Sequence, residues 1–190
     1  MIKSSLKGAV AIVVLAGASA SASADTVTDL GTISTSTPTT FTGSVLEAQT
    51  SFSDIFTFTL AEPNISSGYN VVNFPLDLGE AGTLATVLAT MSLVSYGVDN
   101  MQGTADDQVL QSVVLPSAGN TQDNLSLAWD GPLTGGHYLN ITGVTSGSLG
   151  GIYAGSIAAA VPEPETYAML LAGLGLMGAV VRRRSMRKPS

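Results

Sequence analysis

Asp99, Asn100, Asp106 and Asp107 crowd one short Gly-containing stretch, Asp99-Asn100-Met101-Gln102-Gly103-Thr104-Ala105-Asp106-Asp107. Such hard oxygen ligands are what a Ca²⁺ site requires, although the EF-hand spacing and its closing bidentate Glu are absent. A solvated acidic turn fits the spacing better, and Ca²⁺ at this loop is the only cofactor the sequence offers. A different carboxylate lies in Phe52-Ser53-Asp54-Ile55-Phe56-Thr57-Phe58. A period of two puts Phe52, Asp54, Phe56 and Phe58 on one face of a strand, the face expected to be buried. A carboxylate buried among phenyl rings needs several hydrogen bonds or a cation. We expect Asp54 to accept hydrogen bonds from backbone or hydroxyl groups and so to pin a loop against its strand.

His137 is the only histidine, and it falls in phase with Leu139 and Ile141. That phase predicts a partly buried structural histidine rather than a general base. Any Ser-His-Asp triad would have to use this ring, and no G-x-S-x-G elbow is present. Trp129, in phase with Leu125 and Leu127, is expected in the core; exposed beside Tyr138, it would instead stack on sugar rings. Between Asp25 and Val161 there are twelve carboxylates and neither Lys nor Arg. Those acids are raw material for a glycoside hydrolase, yet no two stand out by motif. The same charge excludes nucleic acid as a partner. It also implies that any contact with an anionic polymer runs through divalent cations or neutral sugars. With no Cys among the 190 residues, disulfides, thiol catalysis and thiolate metal sites are all excluded. The reading is therefore non-enzymatic.

All the positive charge sits at the two ends of the chain. Lys3 and Lys7 precede an apolar run, Gly8 to Ala18, and Ala22-Ser23-Ala24 fits the small-residue cleavage pattern before Asp25. Residues 1–24 are read as a signal peptide, which implies the general secretion machinery and signal peptidase as partners. At the other end, Pro162-Glu163-Pro164 interrupts regular structure. An uncharged run from Tyr167 to Val181 follows, closed by Arg182, Arg183 and Arg184. Fifteen helical residues reach roughly 22 Å against a hydrocarbon core of about 30 Å. A short transmembrane helix over 166–181 is expected, with a cytoplasmic basic tail over 182–190.

The intervening residues, 25–161, read as short strands separated by turns: 52–61, 69–76, 83–96, 108–115, 124–129, 137–144 and 151–159. Within 83–96, Leu84, Leu88, Met91 and Val94 would also suit a helix, but the β-branched content favours a strand. The expected fold class is all-β, a single jelly-roll-like β-sandwich flanked by a signal helix and a membrane helix.

The order Pro162-Glu163-Pro164, apolar span, triple arginine resembles the PEP-CTERM sorting signal. That resemblance implies processing by an exosortase near Pro162–Pro164 and delivery to the surface or matrix of a Gram-negative envelope. It further implies a setting of exopolysaccharide and biofilm. Phe52, Asp54 and Phe56 are similar to the naming motif of the FxDxF subgroup of those proteins. Gly136-His137-Tyr138 with Gly143, followed by Gly151-Ile152-Tyr153-Ala154-Gly155, is similar to the G-x-Y…G…G-x-Y-x-G ending of that subgroup, and the second part is its G-x-Y-x-G segment. The resemblance brings no catalytic residues with it.

Overall fold

A computed structural model describes residues 23–161 and 164–185. Residues 1–22 of the expected signal segment, Ala22 among them, the sorting residues Pro162 and Glu163, and residues 186–190 of the basic tail lie outside the described residues.

Every segment expected as a strand contains one, although 69–76 stops at Asn73 and 83–96 breaks at Ala85 into two strands of different sheets. Five strands form one sheet: β1 (Ser23–Ile33), β3 (Ser51–Leu60), β7 (Thr86–Ser95), β8 (Gln108–Val114) and β10 (His137–Thr145), in the order β1-β3-β10-β7-β8. Four form the other: β2 (Thr39–Val45), β4 (Ser66–Asn73), β9 (Asn124–Asp130) and β11 (Gly151–Ala160), in the order β2-β11-β4-β9. A minor hairpin of β5 (Leu76–Asp77) and β6 (Thr83–Leu84) closes one loop. The sandwich is five strands against four, not the four against four of a jelly roll. The extra strand is β1, which pairs with β3 in parallel while every other ladder in the two sheets is antiparallel. Its first residues, Ser23 and Ala24, pair with Ser51 and Phe52, so the strand begins two residues before the expected cleavage point at Asp25.

Alternation explains the core. On β3 every second residue is buried, and on β10 and β11 the same pattern runs along most of the strand. Phe52, Phe56, Phe58, Leu139, Ile141, Tyr153 and Ile157 thereby meet between the sheets. Burying such side chains contributes about 1.5–3 kcal/mol each, with no disulfide or ion-pair frame required.

The helix-like spacing of Leu88 and Met91 has a strand explanation. Opposite them, Thr142 pairs with Thr90 and Gly143 with Leu88, so Ala89 is the extra residue of a bulge. One inserted residue turns a two-residue step into a three-residue step while both side chains stay buried.

The strand directions give the sandwich two distinct poles. The residue-33 end of β1, the residue-60 end of β3 and the residue-160 end of β11 lie at one pole, with the loops 61–65, 96–107 and 131–136. Ser23, the β5–β6 hairpin and the loop 146–150 lie at the other.

After β11, helix α1 (Pro164–Ser185) covers the expected span. No helix among the described residues is long and apolar enough to cross a membrane. The physical reason is the composition of the span: three glycines dilute Tyr167 to Val181, and Glu165 and Arg182 bound it. Every side chain described on α1 is exposed, including Met169, Leu170, Leu171 and Leu174, and the uncharged run from Tyr167 to Val181 leaves no charged face over that span.

Candidate functional site

The FxDxF residues project from β3 into the space between the sheets. Asp54 is fully buried. Thr26 Oγ1 on β1 donates to its Oδ1 at 2.5 Å, and Tyr153 Oη on β11 donates to its Oδ2 at 2.5 Å. The partners are therefore two strands, one beside β3 and one across the core, and not the loop expected from the sequence. Burial, followed by the hydrogen bond to Asp54 and its charge, pushes the Tyr153 hydroxyl far above its ordinary value, so it stays a donor.

The rings around this pair are held by cross-strand glycines. Tyr153 pairs with Gly43, Phe41 with Gly155 and Phe52 with Gly143. A Cβ at Gly43 would lie 2.1 Å from the Tyr153 ring, and one at Gly155 would lie 2.2 Å from Phe41. Tyr153 stacks on Phe52 with centroids 5.5 Å apart and meets Phe56 edge-on at 6.4 Å. The FxDxF and G-x-Y-x-G segments are thus two halves of one buried cluster, and its chemistry is structural.

The acidic loop spends its carboxylates on its own backbone. Asp106 Oδ2 accepts from the amides of Val98 and Asp99 at 2.7 and 3.2 Å, and Asp99 Oδ1 accepts from Met101 at 2.9 Å. Asp107 Oδ2 accepts from the Gly103 amide at 2.8 Å and from Tyr138 Oη at 3.0 Å. The Thr104 hydroxyl, then the Asp99 and Val98 amides, hold Asp106 below the usual carboxylate range. Burial, then the bond to Asp107, pushes Tyr138 up to about 12. Asn100 Oδ1 turns away to the Gly136 amide at 3.4 Å. Among the described residues no group of three or more acids and histidines is placed to hold a metal ion.

His137 is buried, with Phe58 stacked on it at 6.1 Å. Its Nδ1–H donates to the Gly135 carbonyl at 3.1 Å. Burial pushes its pKa below the ordinary 6.5, and the hydrogen bond only partly offsets this. The unfolded chain therefore takes up a proton that the folded chain refuses, so His137 contributes stability that is intact above 6.5 and lost as pH falls below it. The melting midpoint is expected to decline as pH falls below 6.5, and the decline to flatten in His137→Gln. Equal slopes in the two proteins would assign the effect to carboxylates.

Trp129 and Tyr138 stand on different sheets, so they form no joint stacking platform. Trp129 packs against the core, and its Nε1 has no hydrogen-bond partner among the described residues. Tyr138 instead neighbours Tyr96, with centroids 5.9 Å apart. Asn64-Ile65-Ser66, Asn124-Leu125-Ser126 and Asn140-Ile141-Thr142 fit the N-glycosylation acceptor pattern, but Asn64 is buried with both ends of its amide bonded to the Leu133 backbone, which leaves it unable to accept a glycan.

Tyr96 opens onto a feature the sequence did not suggest. A cleft of about 380 Å³, lined among others by Asp29, Thr32, Thr57, Tyr96 and Asn100, lies at the pole where β11 ends. Its residues come from four separate stretches of chain, and no motif links them.

A buried structural core, a surface cleft and an exposed apolar helix closed by arginines set a β body apart from a C-terminal segment with the make-up of an address. The address is identifiable: residues 160–184 match the PEP-CTERM protein-sorting motif. The motif marks an exported protein, membrane-anchored before an exosortase processes its tail. Among solved structures, the chain is similar to the pre-peptidase C-terminal domain of a collagenase from Bacillus anthracis. The identity is 18% and the TM-score 0.34, over 69% of this chain and 93% of that one. No curated protein matches the chain.

Proposed function

We propose that this is an exosortase-sorted protein of the cell surface or extracellular matrix, with a structural or interaction role beside exopolysaccharide and no catalytic activity. The observation that carries the reading is α1. A helix apolar on all sides is stable when buried in protein or lipid, and the side chains described here are exposed. A transient membrane setting, with arginines reaching the interface, supplies the missing environment despite the short span. Membership of the FxDxF subgroup is supported by the way Phe52, Asp54 and Phe56 close on Tyr153 of the G-x-Y-x-G segment. A non-catalytic role is supported by the burial of His137 and by the backbone bonds that occupy the loop carboxylates.

The test is mass spectrometry of both termini, on protein recovered from envelope and culture medium. Expected are a start at Asp25 and an end near Pro162–Pro164. A host lacking exosortase should retain the uncut tail in its membrane fraction. A chain recovered from cytosol with Met1 and Ser190 in place would defeat the reading.

A further inference from the structure

We propose that the cleft at the residue-160 pole is a binding site for a neutral saccharide. Its shape begins with a defect in β1. Asp29 pairs with Thr57 and Thr32 with Thr59, so β1 carries an extra residue and bulges at Leu30–Gly31. Gly31 takes the left-handed φ of +67° that this bulge needs. Bulges re-aim side chains, and this one presents Asp29 to the cleft. The Asp29 carboxylate is fixed there by two donors to Oδ1, the Gly31 amide at 2.9 Å and the Thr57 hydroxyl at 3.1 Å. Its Oδ2 accepts no hydrogen bond among the described residues.

The other walls are equally specific. Tyr96 lies over Gly136, where a Cβ would come within 2.2 Å of the ring. Asn100 leans in from the acidic loop; its Oδ1 takes the Gly136 amide at 3.4 Å, and its Nδ2 has no partner among the described residues. The Thr32 and Thr59 hydroxyls, 3.0 Å apart, complete the rim. The lining therefore offers an aromatic ring, an acceptor carboxylate, a donor amide and hydroxyls that both give and take.

Elimination names the ligand class. An anion meets Asp29 with no Lys or Arg anywhere between Asp25 and Val161. A bare divalent cation meets a single carboxylate in the lining, too few ligands for a hard cation. A purely apolar ligand would strand the carboxylate and amide without partners. A neutral ring with hydroxyls on its edge and C–H groups on its face satisfies every wall, and the volume falls within the range of small-molecule sites. The site belongs to the body alone and does not depend on the fate of the tail.

Saturation-transfer difference NMR on the full chain tests this, in a detergent without a sugar head group. The probes are the methyl glycosides of glucose, galactose, mannose and N-acetylglucosamine, cellobiose and chitobiose, with glucuronic acid as the charged control. At least one neutral probe is expected to show transfer, unchanged by high salt. Tyr96→Ala should weaken that binding about tenfold or more, and Asp29→Asn, which keeps an oxygen for the Gly31 amide and Thr57 hydroxyl, by about threefold or more. The proposal is overturned if no neutral probe binds, if glucuronic acid binds as well as the neutral sugars, or if both variants bind like the parent.

Discussion

Replacing Asp54 by alanine is expected to lower the melting midpoint by roughly 10 °C, about 3 kcal/mol for a body of this size. The carboxylate receives two hydroxyl donors in a space that water does not reach. Its removal forfeits both bonds, leaves the Tyr153 hydroxyl buried without an acceptor and opens a cavity among Phe52, Phe56 and Tyr153. Tyr153→Phe makes the complementary lesion, leaving one carboxylate oxygen unserved, and is expected to cost about 1.5–3 kcal/mol. Because the two variants break the same bond, the double variant should be more stable than the sum predicts, by about 1 kcal/mol or more. Thermal melts of all four proteins measure the coupling. Strict additivity would mean that the two groups do not act on each other.

Gly43→Val is expected to be as damaging as the Asp54 change or worse, with loss of the folded protein as its extreme outcome. A Cβ there lies 2.1 to 2.4 Å from three atoms of the Tyr153 side chain, the hydroxyl among them. That ring cannot swing aside, because Phe52, Phe56 and the bond to Asp54 hold it. Overpacking of a filled core costs about 1–3 kcal/mol, and here the displaced ring also takes the Asp54 bond with it. Gly43→Ala should show a smaller loss in the same direction, and Gly43→Ala combined with Tyr153→Ala should cost less than the sum of the two separate losses, because the clash disappears with the ring. A Gly43→Ala protein that melts like the parent would show that the ring has room to move.

That glycine also shows where the sequence stops being legible. β2 reads Thr39-Thr40-Phe41-Thr42-Gly43-Ser44-Val45, and its inward side is Phe41, Gly43, Val45. The alternation is present but its middle member is a glycine, which resembles a turn signal until Tyr153 is known to fill the gap. β1 was hidden for a different reason. Within its described side chains only Ile33 is buried, so it has almost no hydrophobic pattern to read and is held largely by main-chain pairing and hydroxyls. The longer strands were legible because their buried faces repeat every second residue, and the bulge at Ala89 accounts for the one stretch that looked helical. Burial of Asp54 followed from its phase alone, whereas its partners, 28 and 99 residues away, could come only from the fold. The cleft was illegible for the same reason: Asp29, Thr57, Tyr96 and Asn100 carry no shared spacing and meet only through sheet order and a bulge.

The parallel placement of β1 has a directional consequence. Because β1 and β11 run the same way, the chain enters the body at one pole and leaves it at the other, about 30 Å of strand away. A tether attached to the processed carboxyl end would hold the molecule by the rim that carries Tyr96 and Asp29. The head so suspended would turn its grip toward its own mooring and offer passers-by the hairpin beside exposed Phe74, Leu76 and Leu78.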